Sequence, residues 1–309
     1  MTKFGFTLQL EEYSIDLVLK TAKIIEELGL HAVFVNDHYM KYSSNNIPET
    51  FLTLTAIALQ TKRLKIGTAV TPIPLRPAPQ LAKIIATLDY ISKGRFLFGV
   101  GIGWYQPEFE GYGSEFLPLK QRALKTIEGI RLMKRMWTEN EVNFKSRYYN
   151  IKGNVLLPKP IQTPYPPILV GSKSKRMCRF AARECDGWIP SNLPANDYEG
   201  MMNWIIDEAE KHDKDRDDLT FVYITRILTG PHMDEVLKYM TKEQVQQTSL
   251  AHPIIGPPEA CVEKLQEYVS IGVDLILLRL HHIANTSLIK EQRQRQQITF
   301  IRDKIISQL

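Results

Sequence analysis

The most informative junction of the chain reads Pro167-Ile168-Leu169-Val170-Gly171-Ser172-Lys173-Ser174-Lys175-Arg176. A short apolar strand ends in a Gly-Ser turn, and a helix with cations in its first turn follows directly. Each cation lies unfavourably near the positive end of the helix dipole, at a cost of about 0.3–1 kcal/mol. An anion held there by free backbone N–H groups reverses that cost. The junction therefore predicts a phosphorylated ligand at the C-terminal end of a parallel strand.

Strand-like and helix-like segments alternate along the chain, and this alternation is typical of a parallel α/β fold. Continuous apolar runs, as in strands buried on both faces, indicate eight strands at 4–10, 32–36, 64–71, 95–101, 168–170, 188–190, 220–228 and 274–280. Helical patterns lie between them and at 287–307. Eight strand–helix units without an interior linker predict a single (β/α)8 TIM barrel domain over residues 1–309. A doubly wound sheet is the alternative.

Long connections interrupt this pattern at 39–48, at 103–120 with 140–166, and at 229–256. They exceed the usual connection length in α/β proteins. In a barrel, such insertions belong at the C-terminal face, where the loops build the active site. We therefore expect them to form the wall of a substrate pocket.

Composition favours a globular cytoplasmic protein that binds neither nucleic acid nor membrane. Hydrophobic residues make up 44% and charged residues 24% of the chain, and the net charge is only +5, with basic and acidic residues interleaved. No run approaches the roughly 18–20 apolar residues of a membrane span, and the start Met1-Thr2-Lys3-Phe4-Gly5 has no signal-peptide layout. Three cysteines, Cys178, Cys185 and Cys261, are too few and too scattered for a disulfide framework or a zinc site.

Two strand ends carry candidate chemistry. Asp37-His38 follows strand two, where a barrel places functional groups, and histidine suits proton transfer near neutrality. His281-His282 after strand eight is a weaker candidate of the same kind. The segment Gly99-Val100-Gly101-Ile102-Gly103 does not match a dinucleotide fingerprint. It indicates either a backbone that passes close to a flat ligand or glycines required by tight barrel contacts.

Other catalytic classes fit poorly. Strand one ends in Leu8-Gln9-Leu10 and offers no metal ligand of the kind that barrel hydrolases use, so we expect no metal site. A catalytic serine is not indicated either, because the chain has no G-x-S-x-G elbow.

Taken in order, these motifs resemble the bacterial-luciferase-like oxidoreductases, and within them the branch that uses coenzyme F420, a deazaflavin. The matches cover roughly residues 4–280 and lie at 32–38, 66–71, 88–95, 99–104, 108–113, 157–160 and 171–172 with 182–188. The resemblance implies an (α/β)8 barrel that binds a flavin-type cofactor at the C-terminal ends of its strands. It also implies a non-prolyl cis peptide at Ala69–Val70 that supports the ring.

The same resemblance implies roles for individual residues. Asp37 and His38 would be catalytic, with Asp37 also touching the cofactor. The remaining cofactor-binding residues would be Ala69, Val70, Thr71, Gly103, Trp104, Gly171, Ser172, Lys173 and Ser174. Trp104 stands where the family's sugar-phosphate dehydrogenases place a proton-donating glutamate, which argues against a sugar-phosphate substrate. Ser172 replaces the usual second glycine of the phosphate turn, and its hydroxyl can donate to phosphate.

Three functions remain open at this point. The first is hydride transfer between F420 and a small organic substrate. It is favoured because Lys173, Lys175 and Arg176 complement the acidic tail of that cofactor. The second is an FMN-dependent monooxygenase served by a flavin reductase partner, and the third is a non-catalytic flavin-binding protein. A homodimer is expected from family analogy alone.

Overall fold

The computed structural model describes residues 1–41, 44–237, 253–280 and 290–309. Its strands are β1 (Lys3–Leu8), β2 (Ala32–Val35), β3 (Lys65–Thr68), β4 (Thr71–Pro72), β5 (Phe96–Gly101), β6 (Val142–Lys145), β7 (Asn150–Asn154), β8 (Ile168–Val170), β9 (Gly187–Trp188), β10 (Thr220–Thr229), β11 (Ile254–Gly256) and β12 (Leu275–Leu280). Its helices of more than three residues are α1 (Ile15–Glu27), α2 (Thr50–Gln60), α3 (Ala78–Ser92), α4 (Gln106–Gly111), α5 (Leu119–Thr138), α6 (Lys175–Glu184), α7 (Ala195–Glu210), α8 (Met233–Leu237), α9 (Pro258–Ile271) and α10 (Lys290–Lys304).

Eight parallel strands close into a barrel in the order β1-β2-β3-β5-β8-β9-β10-β12, and β12 pairs back onto β1. Closure confirms the predicted TIM barrel and excludes the doubly wound sheet, which would leave two open edges. Each barrel strand overlaps a strand predicted from the sequence. The additional strand β11 pairs with β10 outside the ring.

Two parts of the long insertion after β5 contain structure that the sequence did not predict. The short helix α4 follows the end of β5, and an antiparallel hairpin forms from β6 and β7. Both hairpin strands are largely polar and partly exposed, so they lack the continuous apolar run that marked the barrel strands. The helix α4 lies between β5 and α5 and so at the C-terminal face, whereas the hairpin lies between α5 and β8 and so at the opposite face. This corrects the expectation that residues 140–166 form part of the pocket wall, and none of them lines the cavity at the barrel mouth.

Strand alternation divides the core into two layers. Side chains that face outward, such as Phe6, Val33 and Leu278, belong to the large cluster beneath the helices. Side chains that face inward, such as Phe34, Val222 and Leu277, form a small cluster inside the barrel. Alternate residues of a strand point to opposite faces of the sheet. Once one residue of a strand is known to face the barrel interior, the facing of the other residues in that strand follows.

Glycines of β5 fit closely against the end of β3. A Cβ on Gly99 would lie 1.8 Å from the Thr68 carbonyl oxygen, and one on Gly101 would lie 2.6 Å from the Val70 side chain. The space beside these glycines is therefore filled by protein. This corrects the interpretation that they admit a flat ligand and supports the alternative of tight barrel contacts.

The three cysteines are buried and free. Burial raises the pKa of the Cys178 thiol to about 12 and that of Cys261 to about 11. Among the described residues, no helix is long and apolar enough to cross a membrane. The described residues also contain no cluster of histidine, cysteine and carboxylate side chains that could hold a metal ion.

Replacing Gly99 with alanine should destabilise the barrel strongly, since the new Cβ meets backbone that cannot move aside. We expect Gly99→Ala to lower the free energy of unfolding by at least about 2 kcal/mol, the cost of overpacking. Gly200→Ala is the matched control, because its Cβ would meet no atom within 4 Å in α7. That control should be neutral or stabilising by up to about 1 kcal/mol. Equal denaturation midpoints in urea for the two variants would contradict this view of β5.

Candidate active site

A cavity of about 350 Å3 opens at the carboxyl end of the barrel. Six of the eight barrel strands contribute to it through their ends or the residues that follow. Its walls are formed by Thr7, Gln9, Ala69, Val70, Gly171, Ser172, Lys173, Ile189, Pro190, Ser191, Asn192, Ile224, Thr225, Arg226 and Arg279. The cavity thus lies at the face where barrel enzymes have their active sites.

The peptide bond between Ala69 and Val70 is cis and non-prolyl, as the family resemblance implied. Both residues follow β3 and line the cavity. The Val70 side chain lies against Gly101 on one side and Gly171 on the other, where an added Cβ would come within 3 Å of it. These neighbours hold Ala69–Val70 as a fixed apolar shelf at the wall of the cavity.

Part of the turn after β8, Gly171 to Lys173, lines the same cavity, and the turn leads directly into α6. Ser172 Oγ accepts the backbone N–H of Ser174 at 3.1 Å, and Ser174 Oγ caps α6 by accepting the N–H of Met177 at 3.4 Å. Among the described residues, no acceptor faces the backbone N–H groups of Lys175 and Arg176. Such unpaired donors at a helix start bind anions.

Lys173 adds a cation beside this turn. Its Nζ donates a hydrogen bond to the Asn192 carbonyl oxygen at 3.0 Å, so the ammonium is held at the cavity wall. Desolvation lowers the pKa of Lys173. A bound anion would oppose that effect, because an opposite charge favours the charged form of the amine. The turn after β8 is therefore electrostatically suited to a phosphate.

A second polar cluster surrounds His38, in the loop after β2. His38 Nδ1 lies 3.1 and 3.2 Å from the two carboxylate oxygens of Glu108. Glu108 is 1% exposed and also accepts the backbone N–H of Tyr39 at 2.6 Å. Because a carboxylate can only accept, this contact places an imidazole proton on Nδ1. Glu108 therefore holds the His38 ring by Nδ1, and Nε2 is the ring nitrogen that does not contact Glu108.

Asp37 is engaged elsewhere. It is 2% exposed, and its two oxygens accept hydrogen bonds from Arg76 Nε at 2.8 Å and Nη2 at 2.6 Å. The guanidinium also lies 4.6 Å from the ring of Tyr39. Burial alone would lower the pKa of Arg76, but the charge and hydrogen bonds of Asp37 outweigh it and raise the pKa. Asp37 thus fixes the loop that carries His38.

The structure separates the predicted site residues into groups. Ala69, Val70, Gly171, Ser172 and Lys173 share the cavity. Asp37, His38 and Trp104 form the loop cluster, with the Trp104 ring edge-on to His38 at 6.0 Å.

Three other predicted residues do not line the cavity. Gly103 has φ +75° and leaves no room for a Cβ beside the Phe109 ring, Thr71 is buried in β4, and Ser174 caps α6. His281 and His282 lie outside the described residues. The two groups are nevertheless adjacent, because β2 and β5 flank β3 and its Ala69–Val70 shelf.

Glu108, Arg76, Arg226 and Arg279 were missed by sequence reasoning. The sequence contained one usable signal, since Glu108 lies in a matched family segment at 108–113. The arginines carried no local signal, because their neighbours come from distant parts of the chain.

Comparison with protein families gives a match to a model described as luciferase-like monooxygenase over residues 1–249. This chain belongs to the luciferase-like monooxygenase family. The match covers every barrel strand except β12 and confirms the resemblance found in the sequence.

The names of two curated relatives of this luciferase-like protein state different cofactors. An F420-dependent glucose-6-phosphate dehydrogenase of Gordonia bronchialis is 26% identical over 304 residues, covering 88% of this chain and 89% of the relative. An FMNH(2)-dependent dimethylsulfone monooxygenase of Pseudomonas putida is 31% identical over 204 residues, covering 66% of this chain and 55% of the relative. The family is therefore one of oxidoreductases, F420-dependent dehydrogenases and FMN monooxygenases among them.

A solved structure has the same fold. The coenzyme F420-dependent tetrahydromethanopterin reductase of Methanopyrus kandleri superposes with a TM-score of 0.80 at 18% identity, over 99% of each chain. At this identity the likeness establishes the luciferase-like barrel and nothing finer.

The residues present fit a flavin-type cofactor. The turn after β8 supplies a hydroxyl, backbone N–H groups and the Lys173 ammonium, a donor set that matches a phosphate. The Ala69–Val70 shelf and Ile189 supply apolar surface for a flat ring. Both kinds of surface lie in one cavity, as a molecule with a ring at one end and a phosphate at the other requires.

The contact between Glu108 and His38 should be visible without any substrate. We expect neutral His38 to hold its proton on Nδ1 in the native protein and to lose that preference in Glu108→Ala, as read from imidazole nitrogen-15 shifts. Glu110→Ala is the matched control, because Glu110 lies in the same short helix, is exposed and bonds to Gln106 instead. A native His38 protonated on Nε2 would show that Glu108 does not set the tautomer.

Proposed function

We propose that this luciferase-like protein transfers a hydride between coenzyme F420 and a small organic substrate. The observation that carries the proposal is that one cavity is lined both by the Ser172 turn, whose donors suit a phosphate, and by the apolar shelf at Ala69–Val70. The curated relative that matches 88% of the chain is named as F420-dependent, which supports the same cofactor. A bound deazaflavin supplies the ring carbon that gives or accepts the hydride.

The protein's own residues then have separable roles. Gly171, Ser172 and Lys173 hold the phosphate, and Ala69–Val70 supports one face of the ring. His38 exchanges a proton with the substrate through Nε2, while Glu108 holds its Nδ1. Asp37 positions the His38 loop through Arg76, and a direct catalytic role for Asp37 stays a prediction.

The cations at the start of α6 favour F420 over FMN. Lys173, Lys175 and Arg176 are exposed, and α6 has no acidic residue in its first turn. FMN carries one phosphate, which the Ser172 turn alone can bind. F420 continues beyond its phosphate into an acidic tail, which the additional cations complement.

An FMN-dependent monooxygenase is the second candidate. The observation in its favour is the 31% identity to the FMNH(2)-dependent relative. Such an enzyme would need a flavin reductase partner to supply reduced FMN and would use oxygen as a co-substrate. A non-catalytic flavin-binding protein would have the same cavity but no use for the Glu108–His38 contact.

Titration with oxidised F420 and with FMN, followed by fluorescence quenching, tests the proposal. We expect F420 to bind more tightly, and Ser172→Asp to weaken its binding at least about hundredfold. The reason is that two like charges 4 Å apart near a protein surface repel by about 4 kcal/mol. Ser172→Asn is the matched uncharged control and should cost far less. Unchanged affinity in Ser172→Asp would remove the phosphate assignment.

A second pair of variants separates the two cofactors. Lys175→Gln with Arg176→Gln should weaken F420 by about three- to tenfold and leave FMN unchanged, because exposed charges contribute about 1 kcal/mol or less each. Lys23→Gln with Arg131→Gln removes the same charge from other helices as a control. Tight binding of FMN alone would move the protein to the monooxygenase candidate, and binding of neither would refute both.

We also propose that the chain forms a homodimer through α2. The helix has no charged residue, yet Leu52 is 72% and Leu59 is 73% exposed. They are seven residues apart, about two turns, and so lie on one face. A helix that is apolar on all sides is typical of a buried helix, and a second copy of the chain would bury this face symmetrically.

Introducing charge on that face should dissociate the dimer. Leu52→Glu with Leu59→Glu should raise the dimer dissociation constant at least about hundredfold, since each buried leucine contributes roughly 1.5–3 kcal/mol and the symmetry counts each twice. Light scattering after size-exclusion chromatography measures the mass. Leu119→Glu alters an exposed leucine of α5 as a control. A native monomer at micromolar concentration would contradict the proposal.

A further inference from the structure

Strand β1 brings a pair of neutral polar side chains to the cavity. Thr7 lies near the end of β1 and Gln9 follows the strand, and both line the cavity. Their neighbours in the chain, Phe6 and Leu8, belong to the outer core, whereas Thr7 is the register partner of the inward-facing Phe34. Alternation therefore places Thr7 and Gln9 on the inner face, in the layers nearest the mouth.

The Gln9 amide has more hydrogen-bonding capacity than the protein uses. Gln9 is 7% exposed, and its Nε2 donates to Thr7 Oγ1 at 3.1 Å. In the part of the chain that the structure describes, no group pairs with its second N–H or with its Oε1. Buried polar groups of folded proteins are rarely left without a partner, because an unpaired group loses its hydrogen bonds to water. The free donor and the free acceptor of Gln9 therefore indicate a ligand in the cavity.

The backbone on both sides of this amide is held in place. The carbonyl oxygen of Gln9 accepts the N–H of Glu12 at 2.9 Å, and the N–H of Leu10 donates to Oδ1 of the buried Asn36 at 2.7 Å. Thr7 is itself buried, and its hydroxyl fixes the amide from below. Gln9 thus presents its free groups from a rigid support, as a residue that orients a ligand requires.

The Thr7–Gln9 pair lies across the barrel from the Ser172 turn. In the closed ring, β1 and β8 are four strands apart in either direction, and β3 lies midway between them on one side. The Ala69–Val70 shelf follows β3. All three features line the same cavity. A molecule that has its phosphate at Ser172 and its ring on the shelf therefore has the far end of the ring on the side of Gln9.

The free groups of Gln9 match one edge of a flavin-type ring. That edge is an imide, in which the N–H at ring position N3 lies between two carbonyl groups. A carboxamide pairs with an imide by donating to one carbonyl oxygen and accepting the N3 proton. A few polar groups placed in this way fix the orientation of a ligand in an otherwise apolar pocket.

We propose that Gln9 binds the imide edge of the cofactor ring and that Thr7 positions the Gln9 amide. The inference rests on the function proposed above, but it needs only a flavin-type ring, which F420 and FMN share. It assigns the direction of the cofactor, with the imide edge at β1 and the phosphate at β8. Holding the ring at both ends fixes its reacting atom over the Ala69–Val70 shelf, and such positioning contributes to catalysis.

Methylation of the ring at N3 tests the subsite, because the methyl group replaces the proton that Gln9 accepts. The probe is the cofactor that binds in the titration above, F420 or FMN, compared with the same molecule methylated at N3. Fluorescence quenching of the native full chain, without substrate, measures both dissociation constants. We expect the methylated form to bind at least about tenfold more weakly, since a hydrogen bond is lost and the buried Gln9 acceptor is left unpaired.

Substitutions in the pair show whether Gln9 causes that discrimination. Gln9→Met keeps the length of the side chain and removes both free groups. It should bind the unmodified cofactor at least about threefold more weakly. It should also distinguish the methylated form from the unmodified one by no more than about twofold, because the interacting partner is gone. Thr7→Val should weaken cofactor binding less than Gln9→Met does, and Thr7→Ser should keep native affinity because the hydroxyl that holds the amide remains.

Gln266→Met is the matched control, since this glutamine of α9 is exposed and bonds to Ser270. It should leave both dissociation constants unchanged. If Gln9→Met does not fold, Gln9→Ala takes its place, and the comparison of the two cofactor forms on the native chain needs no variant.

The outcomes separate this inference from the proposed function. Equal binding of the methylated and unmodified cofactor by the native chain would overturn the subsite, while the proposed function stands. The same discrimination by the native chain and by Gln9→Met would assign the imide edge to other residues and overturn the role of Gln9. Binding of neither F420 nor FMN would refute the proposed function and this inference together.

Discussion

Ring closure through the pairing of β12 with β1 is the constraint on which the site depends. Once the ring closes, the register of every strand is fixed, and with it the face to which each side chain points. A slip of one residue in β10 would turn Arg226 outward and bring Thr225 inward. The cavity at the mouth therefore has its chemistry set by hydrogen bonds made deep in the barrel wall.

Two buried carboxylates beside this mouth, Asp37 and Glu108, each have hydrogen-bond partners. Arg76 holds Asp37, and Glu108 receives His38 together with two backbone N–H groups of the same loop. Removing one member of such a pair leaves an unpaired charge, which is costly away from water. The loop after β2 is thereby fixed beside the shelf after β3. An oxidoreductase that relies on a bound cofactor needs this kind of rigid orientation more than it needs reactive side chains.

Sequence patterns predicted the barrel because strands that are buried on both faces consist of continuous apolar runs. Such runs can be recognised in the sequence even when the neighbouring strands are unknown. Sequence patterns also predicted the Ser172 turn and the position of the Ala69–Val70 bond, since these depend on local sequence or on family motifs. Contacts between distant segments could not be predicted in this way. Glu108 meets His38 across 70 residues of chain, and Arg226 and Arg279 become neighbours only through the register of two strands.

The order of the strands around the ring also determines how long one edge of β1 stays unpaired while the ribosome makes the chain. Because β12 completes the barrel against β1, the edge of β1 has no barrel partner until residue 280 has been made. At about 5–20 residues per second, the ribosome leaves that edge open for on the order of half a minute. An open apolar edge is a template for aggregation. The β1 edge that pairs with β12 is therefore the barrel edge that stays open longest while the chain is being made.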